Sequence, residues 1–571
     1  MVNFKEEIAK LIAEQVSDLE LSEIQEMIEV PQDSKMGDYA FPCFKLAKTL
    51  RKAPPLIAKG IAEKISGNEM FEKVEQVNAY VNMFLSKEEL VKDVVADVIE
   101  KGADYGKTNV GGGKPVIVEY SSPNIAKPFH IGHIRSTVIG NSLYKIYDAM
   151  GYNVTRINHL GDYGTQFGKM IVAYRHWGNK QDVIDEPIKT LLSYYTKFHV
   201  EVENHPELDD EARATFAKLE HGEKEEVELW QWFRDESLKE FTRVYDMLGI
   251  SYDSYAGESF YSDKMPAIVE DLKQKNLLVE SKGAMIVDLE PYGLTPAPIL
   301  KSDGSTLYIT RDIACAKYRK DTYNFYKNIY VVASQQNLHF QQLKKILELM
   351  GFEWAKDIIH VPFGLVSLEE GTMSTREGRV VFLEDVLNRA IEETREIIKE
   401  KGVATDNIEE TAKQVGIGAV VFNELSNNRI KDYVFSWKKV LDFNGETGPY
   451  VQYTYARAAS ILRNAGEEIV KKAQTAEIKP EYITGESAYE LAKLIYKLPD
   501  VVVEAGEKYE PSIVTRHIVD LAQGFNRFYH DEHILVDNEE EKTAKVAMVI
   551  AAKTAIKNGL ALLGMQAPER M

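Results

Sequence analysis

The chain has few cysteines and no long apolar run. Cys43 and Cys315 are its only cysteines in 571 residues, which argues against a disulfide framework and against a cysteine-rich zinc site. A run of about 18 apolar residues, the length that a membrane helix needs, is also absent. The N-terminal residues place acidic and basic side chains within an apolar pattern, so they predict an amphipathic helix and not a secretory signal. We therefore expect a cytoplasmic protein without zinc and without a membrane partner.

The chain also lacks an excess of positive charge. Its formal net charge is -20, and a strongly negative protein disfavours a polyanionic partner. The acidic excess is concentrated at 201–240, however, whereas 421–463 carries more Lys and Arg than Asp and Glu. Such a protein can bind RNA through one basic face while its other faces repel RNA.

The length of the chain and its changes of pattern predict several domains. Residues 1–108 are expected to form a small α+β domain. Residues 109–385 open with a β-branched strand, a polar loop, a helix and a second strand, which predict a doubly wound parallel α/β sheet of the Rossmann-like type. A charged helical insertion is expected near 187–245. Residues 386–571 are almost wholly helical in pattern, so the predicted fold class ends in an all-α region.

Two histidines stand between the first strand of this sheet and its helix, in the sequence His130-Ile131-Gly132-His133. Open α/β sheets bind ligands at this crevice, and a helix N-terminus attracts phosphate. Imidazole donors can stabilise charge that builds on a phosphate oxygen, and Gly132 would let a nucleotide approach the backbone. On these four residues alone, a pair of surface or metal-binding histidines stays open as the alternative.

The wider string SSPNIAKPFHIGHIRST, residues 121–137, resembles the class I aminoacyl-tRNA synthetases and, among them, the arginyl branch. The resemblance implies ATP-dependent activation of arginine to arginyl-adenylate and transfer of the arginyl group to tRNA(Arg). It implies ATP as a substrate with Mg²⁺, although no carboxylate cage for the metal is evident. We expect the protein to be a monomer.

Class I enzymes carry a second, mobile ATP loop with two lysines, and residues 372–376 match it without either lysine. Arg376 and Lys127 could supply the missing positive charge. The predicted catalytic residues are therefore Lys127, His130, Gly132, His133, Met373, Ser374 and Arg376. The predicted ATP contacts come from Pro128, His130, Gly132, His133, Met373 and Ser374.

A guanidinium is planar and always charged, so a carboxylate is its natural partner. Tyr308 and Asp312 are four residues apart, as on one face of a helix. The resemblance implies that Asp312 pairs with the substrate guanidinium and that Tyr308 hydrogen-bonds near it. A salt bridge from Asp312 to Arg311 or Arg319, with Tyr308 as a core aromatic residue, is the alternative. The resemblance also implies arginine contacts from Glu119, Ser122, Asn124, His133 and Gln336.

Both ends of the chain resemble RNA-binding domains of the arginyl branch. The N-terminal part is similar to a domain that recognises the tRNA D-loop, which implies that Tyr80 and Asn82 grip one base. From about residue 450 the chain is similar to the DALR-type anticodon-binding domain. Aromatic residues alternate with cations within 422–463, which suits stacking of bases beside phosphate contacts. Tyr453 and Arg457 are the predicted contacts. A half-buried strand pair and an ordinary helical core are the structural alternatives.

Two rival functions stay open at this point. One is a class I synthetase for cysteine, glutamate or glutamine, which the absence of zinc cysteines and the Tyr308/Asp312 pair disfavour. The other is a non-catalytic RNA-binding relative, which the intact histidines disfavour. The family further implies that arginine activation requires bound tRNA, as a shift of the site between two states.

Overall fold

The structure is a computed structural model, and its contacts divide the chain into two compact units. It describes residues 2–16, 19–302, 304–368, 381–400, 402, 407–442, 445–475 and 477–571. The first unit consists of Met1–Tyr105, Thr454–Leu498 and Asp520–Asn558, and the second of Gly106–Tyr453, Pro499–Val519 and Gly559–Met571. The three sequence segments divide the chain differently, and their bounds stay a prediction.

The N-terminal part of the first unit is a small α+β arrangement. Its three-stranded sheet is antiparallel, in the order β1-β3-β2. The last helix begins after Ser86, whose hydroxyl accepts from the Glu89 N–H and caps the helix. The elements are α1 (Phe4–Ala13), α2 (Leu21–Met27), β1 (Tyr39–Pro42), α3 (Leu46–Leu50), α4 (Pro54–Ile65), β2 (Phe71–Val77), β3 (Tyr80–Leu85) and α5 (Lys87–Lys101).

The second unit contains a four-stranded parallel sheet in the order β10-β9-β4-β5, with helical crossovers. This confirms the predicted doubly wound α/β fold. Its elements are β4 (Pro115–Glu119), α6 (Ile134–Ala149), β5 (Asn153–Ile157), α7 (Thr165–Trp177), α8 (Lys180–Asp185), α9 (Pro187–Asn204), α10 (Glu207–Glu220), α11 (Lys224–Leu248), α12 (Met265–Gln274), β6 (Leu278–Ser281), β7 (Ala284–Val287), β8 (Ala297–Leu300), α13 (Tyr308–Tyr323), β9 (Lys327–Ala333), α14 (Asn337–Leu349), β10 (Ile358–Phe363), β11 (Val366–Leu368), α15 (Leu383–Glu400), α16 (Ile408–Ser426), β12 (Tyr433–Phe435) and α17 (Trp437–Val440).

The parallel sheet places the ends of its strands along one edge. Strand β4 is rich in β-branched residues and buried on both faces, as expected for a parallel sheet covered by helices. Val118 pairs with Arg156 of β5 on one side and with Ile329 of β9 on the other. Because all four strands run in the same direction, the loops that follow them converge at their carboxyl ends, where such sheets bind ligands.

Helix α11, the longest of the helical insertion, is tied to the loop after β5 by a buried carboxylate. Asp162 accepts from Arg234 Nε at 3.1 Å and from the Ser259 hydroxyl at 2.9 Å. Trp230 Nε1, one turn before Arg234, donates to the Asp162 carbonyl at 2.8 Å. A buried carboxylate with several donors fixes its surroundings firmly. The insertion is therefore a braced part of the second unit.

Among the described residues after β12, helices are the only regular secondary structure, which confirms the predicted helical C-terminal region. Within the first unit, Asp38 accepts from the Tyr489 hydroxyl at 2.7 Å and from Lys493 Nζ at 3.2 Å. In the described part of the chain, no helix has both the length and the hydropathy to cross a membrane. The remaining helices are α18 (Gly448–Ala465), α19 (Glu467–Thr475), α20 (Glu486–Tyr496), α21 (Leu498–Glu507), α22 (Ser512–Asp531) and α23 (Glu539–Leu562).

Helix α6 packs against Tyr120 so closely that Gly140 has no room for a side chain. A Cβ on Gly140 would lie 2.1 Å from Tyr120 Cβ. We predict that Gly140→Ala lowers the free energy of unfolding by about 1–3 kcal/mol, the usual result of overpacking. Gly60→Ala on α4 is the matched control, because its Cβ would meet open space and alanine favours a helix. Chemical denaturation should show a loss for Gly140→Ala alone; equal midpoints for the two variants would contradict the packing argument.

Candidate active site

The loop between β4 and α6 holds three non-glycine residues at positive φ. They are Ser121 at 71°, Ser122 at 50° and Ala126 at 56°. Such residues cost on the order of 1–3 kcal/mol each, and they persist where their surroundings fix them. Here α11 does so: the Tyr245 hydroxyl hydrogen-bonds Ser121 Oγ at 2.8 Å, and Ser237 Oγ accepts from the Ala126 N–H at 3.2 Å. The helical insertion therefore shapes the loop that carries the predicted site residues.

The two histidines interlock at the start of α6. His130 Nδ1 accepts from the Gly132 N–H at 3.1 Å, and His133 Nδ1 faces the His130 N–H at 3.2 Å. Because a backbone N–H always donates, His130 Nδ1 acts as an acceptor, and this neutral ring carries its proton on Nε2. His133 Nδ1 also lies 3.3 Å from His130 O, so it has both a donor and an acceptor within reach. Burial lowers the pKa of His130, and burial together with the neighbouring His130 lowers the pKa of His133 to about 3. Both rings are therefore neutral near neutral pH, and His130 presents an Nε2–H donor.

The predicted second ATP loop, with Met373, Ser374 and Arg376, lies outside the described residues. The chain that follows it is described, and it returns to the histidine segment. Val381 O accepts from the Ile131 N–H at 3.1 Å, and the Leu383 N–H donates to Phe129 O at 2.9 Å. The described segment 381–383 is therefore joined by backbone hydrogen bonds to the histidine segment.

Lys127 and Pro128 line a cavity of about 540 Å³. Lys127 is exposed and Pro128 is buried. The opposite wall includes Gln166 of α7 and two residues of α9, Tyr195 and His199. A volume of this size accommodates part of a nucleotide, so a ligand can reach the loop that precedes the histidines.

Glu119, the last residue of β4, forms a buried ion pair with Arg319 of α13. Arg319 Nη1 lies 2.5 Å from Glu119 Oε2, and the two side chains are 0% and 7% exposed. The Arg319 guanidinium also stands over the Tyr330 ring, 5.3 Å from its centroid. Glu119 is thus fixed by a resident guanidinium at the position where the sequence predicts a contact with the substrate arginine.

Asp312 lies on α13, two turns before Arg319, and forms a hydrogen bond with His339 of α14. His339 Nε2 donates to Asp312 Oδ2 at 2.5 Å, and the side chains are 23% and 32% exposed. Burial alone would raise the pKa of Asp312, but the hydrogen bond from His339 and nearby positive charge hold this pKa below its usual value. Burial alone would lower the pKa of His339, but the bond to Asp312 raises it. The carboxylate therefore stays ionised and is accessible to a ligand.

Neither structural alternative for the Tyr308/Asp312 pair describes what is observed. Arg311 binds Glu258 at 3.1 Å instead of Asp312, and burial raises the pKa of this glutamate to about 7. Tyr308 is 65% exposed and is no core residue. The centroid of its ring lies 5.5 Å from the Arg311 guanidinium, so the guanidinium packs against one face of the ring.

Three further predicted arginine contacts follow the same strand ends. Asn124 forms a parallel bridge with Gly161, where a Cβ would lie 1.9 Å from Asn124 Oδ1, so only glycine fits opposite the amide. The Ser122 N–H donates to Asn158 Oδ1 at 3.2 Å. Gln336 is exposed at the end of a short 3₁₀ helix after β9. These residues share one edge of the sheet with Glu119.

Sequence reasoning missed three residues at this edge. Arg319 was considered only as a partner of Asp312, and His159 and His339 were not considered. His159 is half-buried after β5, and its Nδ1 has no hydrogen-bond partner among the described residues. His339 stands three residues after Gln336, so the spacing of one helical turn could have indicated it.

The residues predicted to bind the tRNA D-loop lie on β3. Tyr80 is half-buried, and its ring makes an edge contact with Phe44, an exposed aromatic residue 5.5 Å away. Asn82 is 1% exposed, and neither of its amide atoms has a hydrogen-bond partner within the described structure. A buried unpaired amide is costly. The structural alternative of a half-buried strand pair therefore fits Tyr80 better than Asn82.

The residues predicted to contact RNA from the C-terminal region lie one turn apart on α18. Tyr453 is exposed. Arg457 donates to Asn526 Oδ1 at 2.5 Å, and its guanidinium stands 5.6 Å from the Tyr529 ring. Arg457 is thus already held within the first unit by contacts with α22.

Comparison with known families matches three consecutive segments of the chain. Residues 94–437 match the catalytic domain of the class I (R) tRNA synthetases, residues 451–571 the DALR anticodon binding domain, and residues 4–85 the arginyl tRNA synthetase N terminal domain. The arginine–tRNA ligases of Halothermothrix orenii and Clostridioides difficile are 58% and 59% identical to this chain, over 100% of both chains in each case. The chain belongs to the arginyl-tRNA synthetases.

As a member of this family the protein is a class I arginine–tRNA ligase that charges tRNA(Arg) with arginine in translation. The arginyl-tRNA synthetase of Thermus thermophilus has the same fold, with a TM-score of 0.81 and 26% identity, covering 100% of this chain and 99% of the other. The Plasmodium falciparum arginyl-tRNA synthetase, 24% identical, covers 99% of this chain and 98% of its own with a TM-score of 0.78 and supports the fold alone. Family membership excludes both rival functions.

The Glu119–Arg319 pair generates a stability prediction. Arg319→Met should lower the free energy of unfolding by about 3–5 kcal/mol, because it leaves the Glu119 carboxylate buried without a partner. The double variant Glu119→Gln/Arg319→Met should lose clearly less unfolding free energy, because it leaves no buried charge without a partner. Chemical denaturation of both variants gives the comparison. A double variant that is as unstable as Arg319→Met would show that the lost packing of Arg319, and not the stranded charge, decides stability.

Proposed function

We propose that arginine and ATP meet at the carboxyl edge of the parallel sheet, and that the residues predicted from the sequence carry out the ligase reaction there. One observation supports this most directly. An ionised, ligand-accessible Asp312 lies on α13, which a buried ion pair joins to the end of β4, and the loop after β4 leads into two neutral imidazoles. This arrangement offers an anionic slot for a guanidinium and neutral donors for a phosphate.

In this proposal Asp312 forms a charged pair with the substrate guanidinium, and Tyr308 closes over it from the exposed side. The buried Glu119 carboxylate supplies a second acceptor at the end of β4. A carboxylate can accept two parallel N–H bonds from a guanidinium, which an ammonium cannot offer, so the slot would distinguish arginine from lysine. Ser122, Asn124, His133 and Gln336 would hold the rest of the amino acid.

ATP would lie across the start of α6, with its phosphates near the helix N-terminus. The arginine carboxylate attacks the α-phosphate in line and releases pyrophosphate. The Nε2–H groups of His130 and His133 would donate to oxygens that gain charge in the transition state. Pro128 and Gly132 would line the nucleotide, and Lys127 with Met373, Ser374 and Arg376 would contact its phosphates.

Magnesium would enter as part of the MgATP substrate. Among the described residues, no group of three or more His, Cys, Asp or Glu side chains could hold a metal ion. Mg²⁺ is commonly held by substrate phosphates and water with few protein ligands.

After activation, the arginyl group passes to the 2′-hydroxyl of the terminal adenosine of tRNA(Arg), as in class I enzymes. Tyr80 and Asn82 would contact a D-loop base, and Tyr453 and Arg457 would contact the anticodon side, with aromatic residues stacking on bases. We further propose that the protein works in the cytoplasm as a monomer, with domain bounds near 108, 385 and 450.

The proposed arginine slot is tested by Asp312→Ala. Loss of one partner of a charged pair should cost about 3 kcal/mol, so kcat/KM for arginine should fall roughly a hundredfold or more, with little change in KM for ATP. Asp321→Ala is the matched control on the same helix, because the pair that Asp321 forms with Lys317 is exposed to solvent. Aminoacylation of tRNA(Arg) by both variants gives the measurement. An unchanged KM for arginine in Asp312→Ala would show that Asp312 does not bind the substrate guanidinium and that the arginine slot lies elsewhere.

Dependence of arginine activation on tRNA is a separate prediction. If tRNA shifts the site to its active state, arginine-dependent exchange of pyrophosphate into ATP should be close to background without tRNA(Arg) and should appear when tRNA(Arg) is added. A non-cognate tRNA serves as the control. Brisk exchange with arginine and ATP alone would contradict the prediction.

A further inference from the structure

Asp312 already has a partner before any substrate arrives. The proposed function gives the Asp312 carboxylate to the substrate guanidinium, and one oxygen of this carboxylate, Oδ2, accepts from His339 Nε2 at 2.5 Å. Both are donors of planar N–H groups to one carboxylate oxygen, so the imidazole and the guanidinium would compete for it. His339 stands in the first turn of α14, whereas Asp312 stands in the second turn of α13.

Besides His339, one group near this contact titrates in the same range: burial raises the pKa of Glu258 to about 7, but Glu258 pairs with Arg311 and not with Asp312. His360 of β10 faces the same aromatic ring, Phe340, and burial lowers its pKa. His159 and Arg311 lie near Asp312, and burial lowers the pKa of His159 as well. The two other histidines therefore stay neutral near neutral pH, and the arginine stays charged.

We propose that His339 is a positioning residue that holds Asp312 in the arginine-free pocket and yields this carboxylate to the substrate guanidinium, with the loss of a proton. This inference rests on the proposed function of Asp312. Before binding, the imidazolium donates to Asp312 Oδ2. When the guanidinium takes that oxygen, a second cation next to it is disfavoured, and the imidazolium Nε2 or Nδ1 proton passes to the solvent.

The competition between His339 and arginine predicts the direction in which KM for arginine changes with pH. As pH falls, a larger fraction of His339 is protonated and bound to Asp312, so arginine must displace a stronger partner. KM for arginine should therefore rise towards about tenfold per pH unit below the pKa of His339, the limit for one competing proton. Protonation of Asp312 itself cannot produce this rise near neutral pH, because its pKa is lowered.

The test measures KM for arginine in aminoacylation of tRNA(Arg) at saturating MgATP, between about pH 6 and about pH 8.5, the range in which histidines titrate. His339→Gln keeps a donor for Asp312 but cannot titrate, and His339→Asn is a second variant of the same kind. His176→Gln is the matched control, because His176 Nε2 forms the same kind of contact, at 3.0 Å, with Glu211 on the helical insertion.

We expect the KM of the wild type and of His176→Gln to rise at low pH and that of both His339 variants to stay flat. Titration calorimetry of the unmodified protein with arginine, in two buffers of different ionisation enthalpy, should show proton release near pH 6.5. A flat wild-type profile, or a His339 variant that keeps the wild-type slope, would overturn the inference. Asp312→Ala with an unchanged KM for arginine would instead overturn the proposed slot, so the two failures are distinguishable.

Discussion

The buried ion pair between Glu119 and Arg319 is the interaction on which the candidate site depends. It joins the end of the central strand β4 to helix α13, with both side chains almost completely removed from solvent. A desolvated charge pair adds little net stability, but separating it is costly, so it fixes the two elements relative to one another. Asp312 stands about two turns before Arg319 on the same helix. The position of the proposed arginine slot therefore follows from this pair.

The slot combines two carboxylates with two kinds of resident cation. Glu119 is held by a guanidinium that cannot lose its proton, whereas Asp312 is held by an imidazole that can. The first contact is buried and joins two elements of the fold. In the proposal the second contact is exchangeable, and it lies on the partly exposed carboxylate. A pocket for one substrate cation therefore needs only one carboxylate that releases its partner. In the proposal this carboxylate is Asp312, because it is partly exposed whereas Glu119 is buried.

The sequence predicted the sheet and the position of the histidines, because both depend on local patterns: a β-branched strand, a polar loop and a helix start within residues 116–137. It could not predict which charges pair, because the partners come from distant segments. Arg311 is adjacent to Asp312, but neighbouring residues on a helix point about 100° apart, so Arg311 meets Glu258 instead. Arg319 lies on the same face of α13 as Asp312, but it pairs with Glu119, which the end of β4 places next to it.

The acidic helical insertion also gains a physical role that its composition did not indicate. Its charges suggested only a repulsive surface, yet the inner face of α11 braces two loops of the site. Tyr245 and Ser237 hold the strained loop after β4, and Arg234 and Trp230 hold the loop after β5 through Asp162. Because strained backbone persists only where its surroundings determine it, the loop that carries the histidines depends on this helix. The insertion therefore supports the candidate site through the buried contacts of α11.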